Sequence, residues 1–198
     1  MVAEKNDLYS PSKKGVAIRQ GEILSNVKQI ALLSESDGLD GGNEISIVEH
    51  PYCIVVSQDC DLDWDFRERK GDSKTYNSSK LLNCILFCEA DTARAVRDNT
   101  NAGGWKKIPC NNEVSKFHFL ERIPRDLDLA REGIPELVTN FRRIFAVESD
   151  YLYRCIESGE VSRRSVLVSP YLEHFCGRFH NYQGRIALPS QYESEKDG

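Results

Sequence analysis

Residues 54–66 read IVVSQDCDLDWDF. Asp59, Asp61, Asp63 and Asp65 fall at every second position behind an apolar run, and Cys60 sits between the first two. Three readings follow. Hard divalent cations take carboxylate oxygens, so Asp59 and Asp61 could hold Mg²⁺ or Mn²⁺. The calcium loop that also begins D-x-D-x-D is excluded, because Trp64 stands where it needs glycine and Lys70 where it needs glutamate. Cys60 could act as a nucleophile with His118 or His50 as its base, although flanking aspartates oppose a thiolate. The plainest reading is a solvated loop. Like charges at spacing two share one face of a strand and repel, which ends the strand near Gln58.

Cationic residues supply a second kind of chemistry. Arg142-Arg143 and Arg163-Arg164 are doubled at positions that read as strands. Alternation sends the two members of a pair to opposite faces, where a buried one must find a partner. Paired with acids they are structural; left free beside Tyr151 or Tyr153 they could hold RNA phosphate and stack a base. Arg178 follows His174 at i, i+4 on the polar side of a helix, a spacing that suits a phosphate or a solvated face. His118 lies between Phe117 and Phe119, so if both rings face the core the histidine faces outward. In an RNA-cleaving reading, His50 or His118 is the base and Arg143 steadies the phosphate.

The elements that must position these groups are mostly strands. Residues 45–57 read as two strand pieces joined at His50-Pro51, a joint that proline confines to a strand start or a bulge. Residues 81–90, 116–123, 137–147 and 163–168 read as further strands. Residues 32–44 are an acidic, turn-rich loop, 67–80 a charged surface loop and 99–105 a flexible link. Helices are expected at 91–99 behind Asp91, at 149–159 behind Ser149, and after Ser169-Pro170. In the last, Leu172, Phe175, Cys176 and Phe179 form one apolar stripe and Gly184 is the stop. The order predicts an α+β fold: a curled antiparallel sheet or SH3-like small barrel with C-terminal helices. Residues 1–14 read as a disordered arm, 15–190 as one domain and 191–198 as a polar tail.

The chain has 198 residues, enough for one domain with a substantial core. No apolar run reaches the roughly 20 residues needed to cross a bilayer, and the N-terminus lacks a signal-peptide core. Seven irregularly spaced cysteines argue for reduced thiols in the cytoplasm. The net charge of −5 argues against wholesale nucleic-acid binding. The charge is uneven, however. Residues 35–65 hold nine acids and no lysine or arginine, whereas residues 141–187 hold seven arginines against five acids. Such a dipolar surface suits a basic protein partner, or a polyanion on one side.

Two phrases carry a family resemblance. QGEI at 20–23 resembles the opening strand of the MazF/PemK toxins, and HPYCIVVS at 50–57 resembles their second strand. The resemblance covers about a third of the chain. It implies an SH3-like barrel that dimerises, binds an antitoxin peptide and cuts RNA without a metal. It places Ser57 at the strand end beside the RNA groove and His50 at the family's arginine before proline. That family's catalytic arginine has no counterpart in residues 25–44, which hold only Lys28. The resemblance therefore implies a barrel kept and a cutting activity altered or lost. SQDCDL and SPYLEHFCGRFHNYQGRIALP also resemble phrases of uncharacterised bacterial proteins, which implies a bacterial origin.

Three functions are expected, in this order. The first is a toxin-like or antiviral-defence protein acting on RNA, a metal-independent endoribonuclease using His50, Ser57, Asp59, Cys60, His118 and Arg143. RNA would be held by Arg142, Arg163, Arg164 and Arg178. The second is a non-catalytic module docking a basic partner on an acidic face. The third is a divalent-metal hydrolase built on Asp59 and Asp61.

Overall fold

Strand formation follows the apolar runs, and the strands assemble into one antiparallel sheet. In this computed structural model, residues 8–32, 45–71, 76–108 and 115–185 are described. The strands are β1 (Tyr9–Pro11), β2 (Glu22–Leu32), β3 (Ile45–Val55), β4 (Cys84–Thr92), β5 (Phe117–Leu120), β6 (Leu137–Glu148) and β7 (Ser162–Leu167). The helices are α1 (Asp59–Lys70), α2 (Ala93–Asp98), α3 (Ala102–Lys107), α4 (Ser149–Ser158) and α5 (Tyr171–Gln183). The order across the sheet is β1-β7-β2-β3-β4-β6-β5. The fold is therefore α+β, and because β1 and β5 do not pair, the sheet is open and not a closed barrel. It is nonetheless curled. Tyr9 and Leu167 from one edge share a hydrophobic cluster with Leu120 and Leu137 from the other. The Tyr9 hydroxyl also donates to the Glu121 carbonyl at 3.0 Å.

Each face of the sheet carries a core. The first holds Ile23, Ile54, Cys88, Phe141 and Phe175, and the stripe on α5 packs into it as its spacing predicts. The second holds Leu24, Val27, Cys53, Val55, Phe87 and Phe145, covered by Leu62 of α1 and Leu152 of α4. Leu24 and Val27 are three residues apart yet face the same core, which a regular strand forbids. Asn26 explains this: its φ is 63°, and the β2–β3 ladder skips it and Pro51 between the pairs Ser25–Tyr52 and Val27–His50. Proline has no N–H to lose there, and Asn tolerates the left-handed conformation. The kink turns His50 onto the same face as Cys53 and Val55.

Several expectations are corrected. The acid run is not a loop but the first half of α1. Asp59 and Asp61 lie in its first turn, Arg67, Arg69 and Lys70 in its last, and Gly71 closes it at φ 72°. That charge order suits the helix dipole. Asp63 pairs with Arg67, and Asp65 with Arg69, one turn apart. The buried positions are Leu62, Asp65 and Glu68, so no apolar stripe marks the helix. The link at 99–105 contains α3, capped by the Asn101 side chain on the Gly104 amide. Thr92, not Asp91, caps α2, and Glu148, not Ser149, caps α4. Tyr9–Pro11, read as part of an arm, pair with β7. The acidic loop at 33–44, residues 1–7 and the tail 191–198 lie outside the described residues. No helix among the described residues is long and apolar enough to cross a membrane.

Candidate functional site

The kink at Asn26–Pro51 brings His50 against three neighbouring strands. Its ring stacks on Phe145 of β6 with centroids 3.7 Å apart. Nε2 lies 3.1 Å from Gln29 Oε1 on β2, and Nδ1 lies 3.6 Å from Glu89 Oε1 on β4. Burial pushes the imidazole pKa down, against the opposing pull of Glu89. His50 is thus a neutral ring near pH 7. Nδ1 is buried and makes no hydrogen bond at that distance from Glu89.

Glu89 is shared. Its Oε2 accepts from Arg143 Nη1 of β6 at 3.0 Å, and the same Nη1 lies 3.8 Å from Asp91 Oδ2. Burial and the neighbouring Glu89 push the Asp91 carboxyl up, against the pull of Arg143. Side-chain exposure falls from 59% at Arg143 to 22% at Glu89 and 6% at His50. The layers from solvent inward are therefore arginine, carboxylate, imidazole. Two residues chosen from the sequence, His50 and Arg143, meet through Glu89. Sequence reasoning missed Glu89, Asp91 and Gln29. The signal was an acid at position 89 interrupting the apolar run LLNCILFC.

The Ser57–Asp61 corner serves another purpose. Ser57 Oγ accepts the Leu86 amide at 2.9 Å and ties the strand end to β4. Asp59 Oδ1 accepts from Arg19 Nε at 2.9 Å and from the Gln20 amide at 2.7 Å, while Oδ2 takes Arg19 Nη2 at 2.6 Å. Partial burial opposes ionisation, but these donors outweigh it and hold the carboxyl below its usual range. Asp59 is thus the pin that fastens the segment before β2. Among the described residues no group of three or more His, Cys, Asp or Glu is arranged to hold a metal ion, including Asp59 and Asp61. Cys60 is exposed and its Sγ faces Gln58 Oε1 and Asp61 Oδ1. The cleft it borders, about 630 Å³, is lined by Lys13, Arg19, Arg67 and Arg163 with Glu22, Asp59 and Asp63, and by no histidine. The cysteine–histidine pair is not assembled there.

His118 faces inward, reversing the expectation from its flanking phenylalanines. It shares its face of β5 with buried Leu120, while Phe117 and Phe119 are half-buried and pack with α2 and α3. Its ring is edge-on to Phe175 and 5.4 Å from that of His174 on α5. Burial, with Arg178 and His174 adding to it, pushes its pKa down to about 3. It is a core histidine beneath α5.

The arginines divide. Arg163 is buried and donates to both Glu22 oxygens at 2.6 and 2.8 Å and to the carbonyls of Val16 and Ala17. Arg164 donates to both Asp128 oxygens at 2.9 and 2.7 Å, to Ser25 Oγ and to the Gly133 carbonyl. Asp128 in turn collects the amides of Ala130, Glu132 and Gly133. Both guanidiniums are spent inside the fold, as the structural reading of that doublet requires. Arg178 reaches the Phe117 carbonyl at 2.7 Å and locks α5 to β5. Arg142 is exposed and pairs with no acid among the described residues. Comparison of the chain with protein-family models and with curated proteins finds no match.

Proposed function

We propose that the protein acts on RNA by metal-independent phosphodiester cleavage at the His50–Glu89–Arg143 cluster. The observation that supports this is the single carboxylate shared between a neutral buried imidazole and an exposed guanidinium. A substrate phosphate competes with Glu89 for Arg143. Once the arginine turns to phosphate, Glu89 is released from its ion pair and is free to meet the 2′-OH. It then takes the proton of the 2′-OH, whose oxygen attacks the adjacent phosphorus. His50 lies behind it, and its Nδ1 can take up that proton from Glu89. Asp91, with its raised pKa, is placed to return a proton to the departing 5′-oxygen. The products are a 2′,3′-cyclic phosphate and a 5′-hydroxyl. The exposure order makes Glu89 the base and His50 its support.

A toxin-like or defence role in a bacterial cytoplasm belongs to the same proposal, with a peptide antitoxin or a second copy as partner. So does descent from an SH3-like barrel, in which β2, β3, β4 and β6 are the retained strands. The exposed Ile30–Ile47 pair on the β2–β3 hairpin favours one other reading, a docking module without chemistry. Incubation with a mixed-sequence RNA decides between them. Cyclic-phosphate ends should form and should be absent with 2′-O-methyl RNA. Glu89→Gln and Arg143→Ala should each slow the reaction by roughly 10²-fold or more. Cleavage that persists in both variants, or no cleavage by the wild type, overturns the proposal.

A further inference from the structure

A second cavity lies between α1 and α4, and none of its lining residues belongs to the His50 cluster. It measures about 590 Å³, within the range that encloses a small ligand. Its walls combine aromatic rings and four cations, Arg69, Lys70, Arg154 and Arg163, with the acids Glu68, Asp150 and Glu157. Phe66 and Tyr153 stand 6.4 Å apart at 53°. Arg69 lies over the Tyr153 ring at 5.5 Å and Lys70 over Phe66 at 5.8 Å. Ile18, Leu81 and Ile156 give an apolar floor.

Two features of this cavity are not used by the fold. Tyr76 stands at its wall 67% exposed, a large ring with a face open to solvent. Arg154 is exposed and pairs with no acid among the described residues. Besides its contact with Phe66, Lys70 pairs with Glu157 at 3.6 Å, with both side chains more than half exposed. Such a pair is worth little and yields to a stronger anion. Arg69 is different, fixed by Asp65, Asp150 and the Leu82 carbonyl. It acts as a wall.

We infer that this cavity binds a nucleotide, with the base stacked on Tyr76 and the phosphate held by Lys70 and Arg154. A planar π-system suits an exposed tyrosine face beside an apolar floor. Two exposed cations at the rim suit a phosphate. A free nucleotide and one residue of a single strand present the same chemistry. The inference does not depend on cleavage at Glu89.

Calorimetric titration with 5′-AMP, adenosine, inorganic phosphate and a five-residue oligo(A) RNA tests it. AMP or the pentamer should bind at least tenfold tighter than adenosine or phosphate. Tyr76→Ala and Arg154→Ala are surface changes that leave the fold intact, and each should weaken that binding at least fivefold. Binding of AMP as tight as that of the pentamer assigns a free nucleotide; preference for the pentamer assigns a strand. The inference is overturned if neither ligand binds at millimolar concentration, or if both variants bind like the wild type. RNA cleavage measured on the same variants keeps this outcome separate from that of the Glu89 cluster.

Discussion

At the scale of single residues, the molecule keeps its strongest charges indoors and gives each a counterpart. Glu22 faces Arg163, Asp128 faces Arg164, and Asp65 faces Arg69. Removing one member of such a pair strands the other in a low-dielectric interior. His118 has no acid to balance it, so its neutral form is the one the fold selects. The unfolded ring takes a proton below about pH 6.5, whereas the folded ring resists until about pH 3. Stability should therefore fall as pH drops through that interval and level off beneath it. Between pH 7 and pH 5 the loss from His118 should be about 2 kcal/mol by urea unfolding. His118→Leu should lose less over the same step. An equal loss in both would assign the acid sensitivity to other groups. The sequence carried the warning that doubled arginines on a strand need partners. It did not carry the partners, because Glu22 lies 141 positions from Arg163 and Asp128 lies 36 from Arg164.

At the scale of elements, legibility depended on whether the buried face was apolar. The stripe on α5 is all hydrophobic, and its spacing, with Ser169-Pro170 before it and Gly184 after it, located the helix. Helix α1 buries Leu62, Asp65 and Glu68, so the periodic signal vanished. An alternating acid pattern, which belongs to strands, stood in its place. The informative cues were acids first, bases last and glycine at the stop. Likewise, the alternation Phe-His-Phe predicted the opposite face for β5, because α2 and α3 supply a second apolar surface for the phenylalanines. The His50-Pro51 joint was legible as an irregularity. Its partner Asn26 was not, since one asparagine in a strand has no unique reading. Asn26→Val should cost about 1–2 kcal/mol in unfolding experiments, because a β-branched residue is strained at positive φ. The same variant should shift the imidazole resonances of His50. Asn26→Gly should leave both nearly unchanged, and equal behaviour of the two variants would refute the kink as the device that aims His50.

At the scale of the whole molecule, an open sheet is held in a curl by side chains that bridge its edges. Tyr9 is the clearest bridge: it is buried, packs with residues from both edges and donates to Glu121. Burial, with Glu121 adding to it, raises its pKa, so the hydroxyl stays protonated throughout the ordinary pH range. Tyr9→Phe should cost about 1 kcal/mol, the worth of one hydrogen bond. Tyr9→Ala should cost about 3–5 kcal/mol, as for other buried aromatics. Equal small losses in a denaturation series would mean that the edges hold together without it. The fold class was legible from strand-rich segments followed by helices. Closure was not, since it depends on strand order and not on strand content.

The strand order also has a consequence for biosynthesis. Tyr9 leaves the ribosome well before its ladder partner Leu167, because the whole of the sheet from β2 to β6 lies between them. The nascent chain must carry β1 unmated until β7 has been made. Its apolar edge is then a natural client for a holding chaperone during elongation.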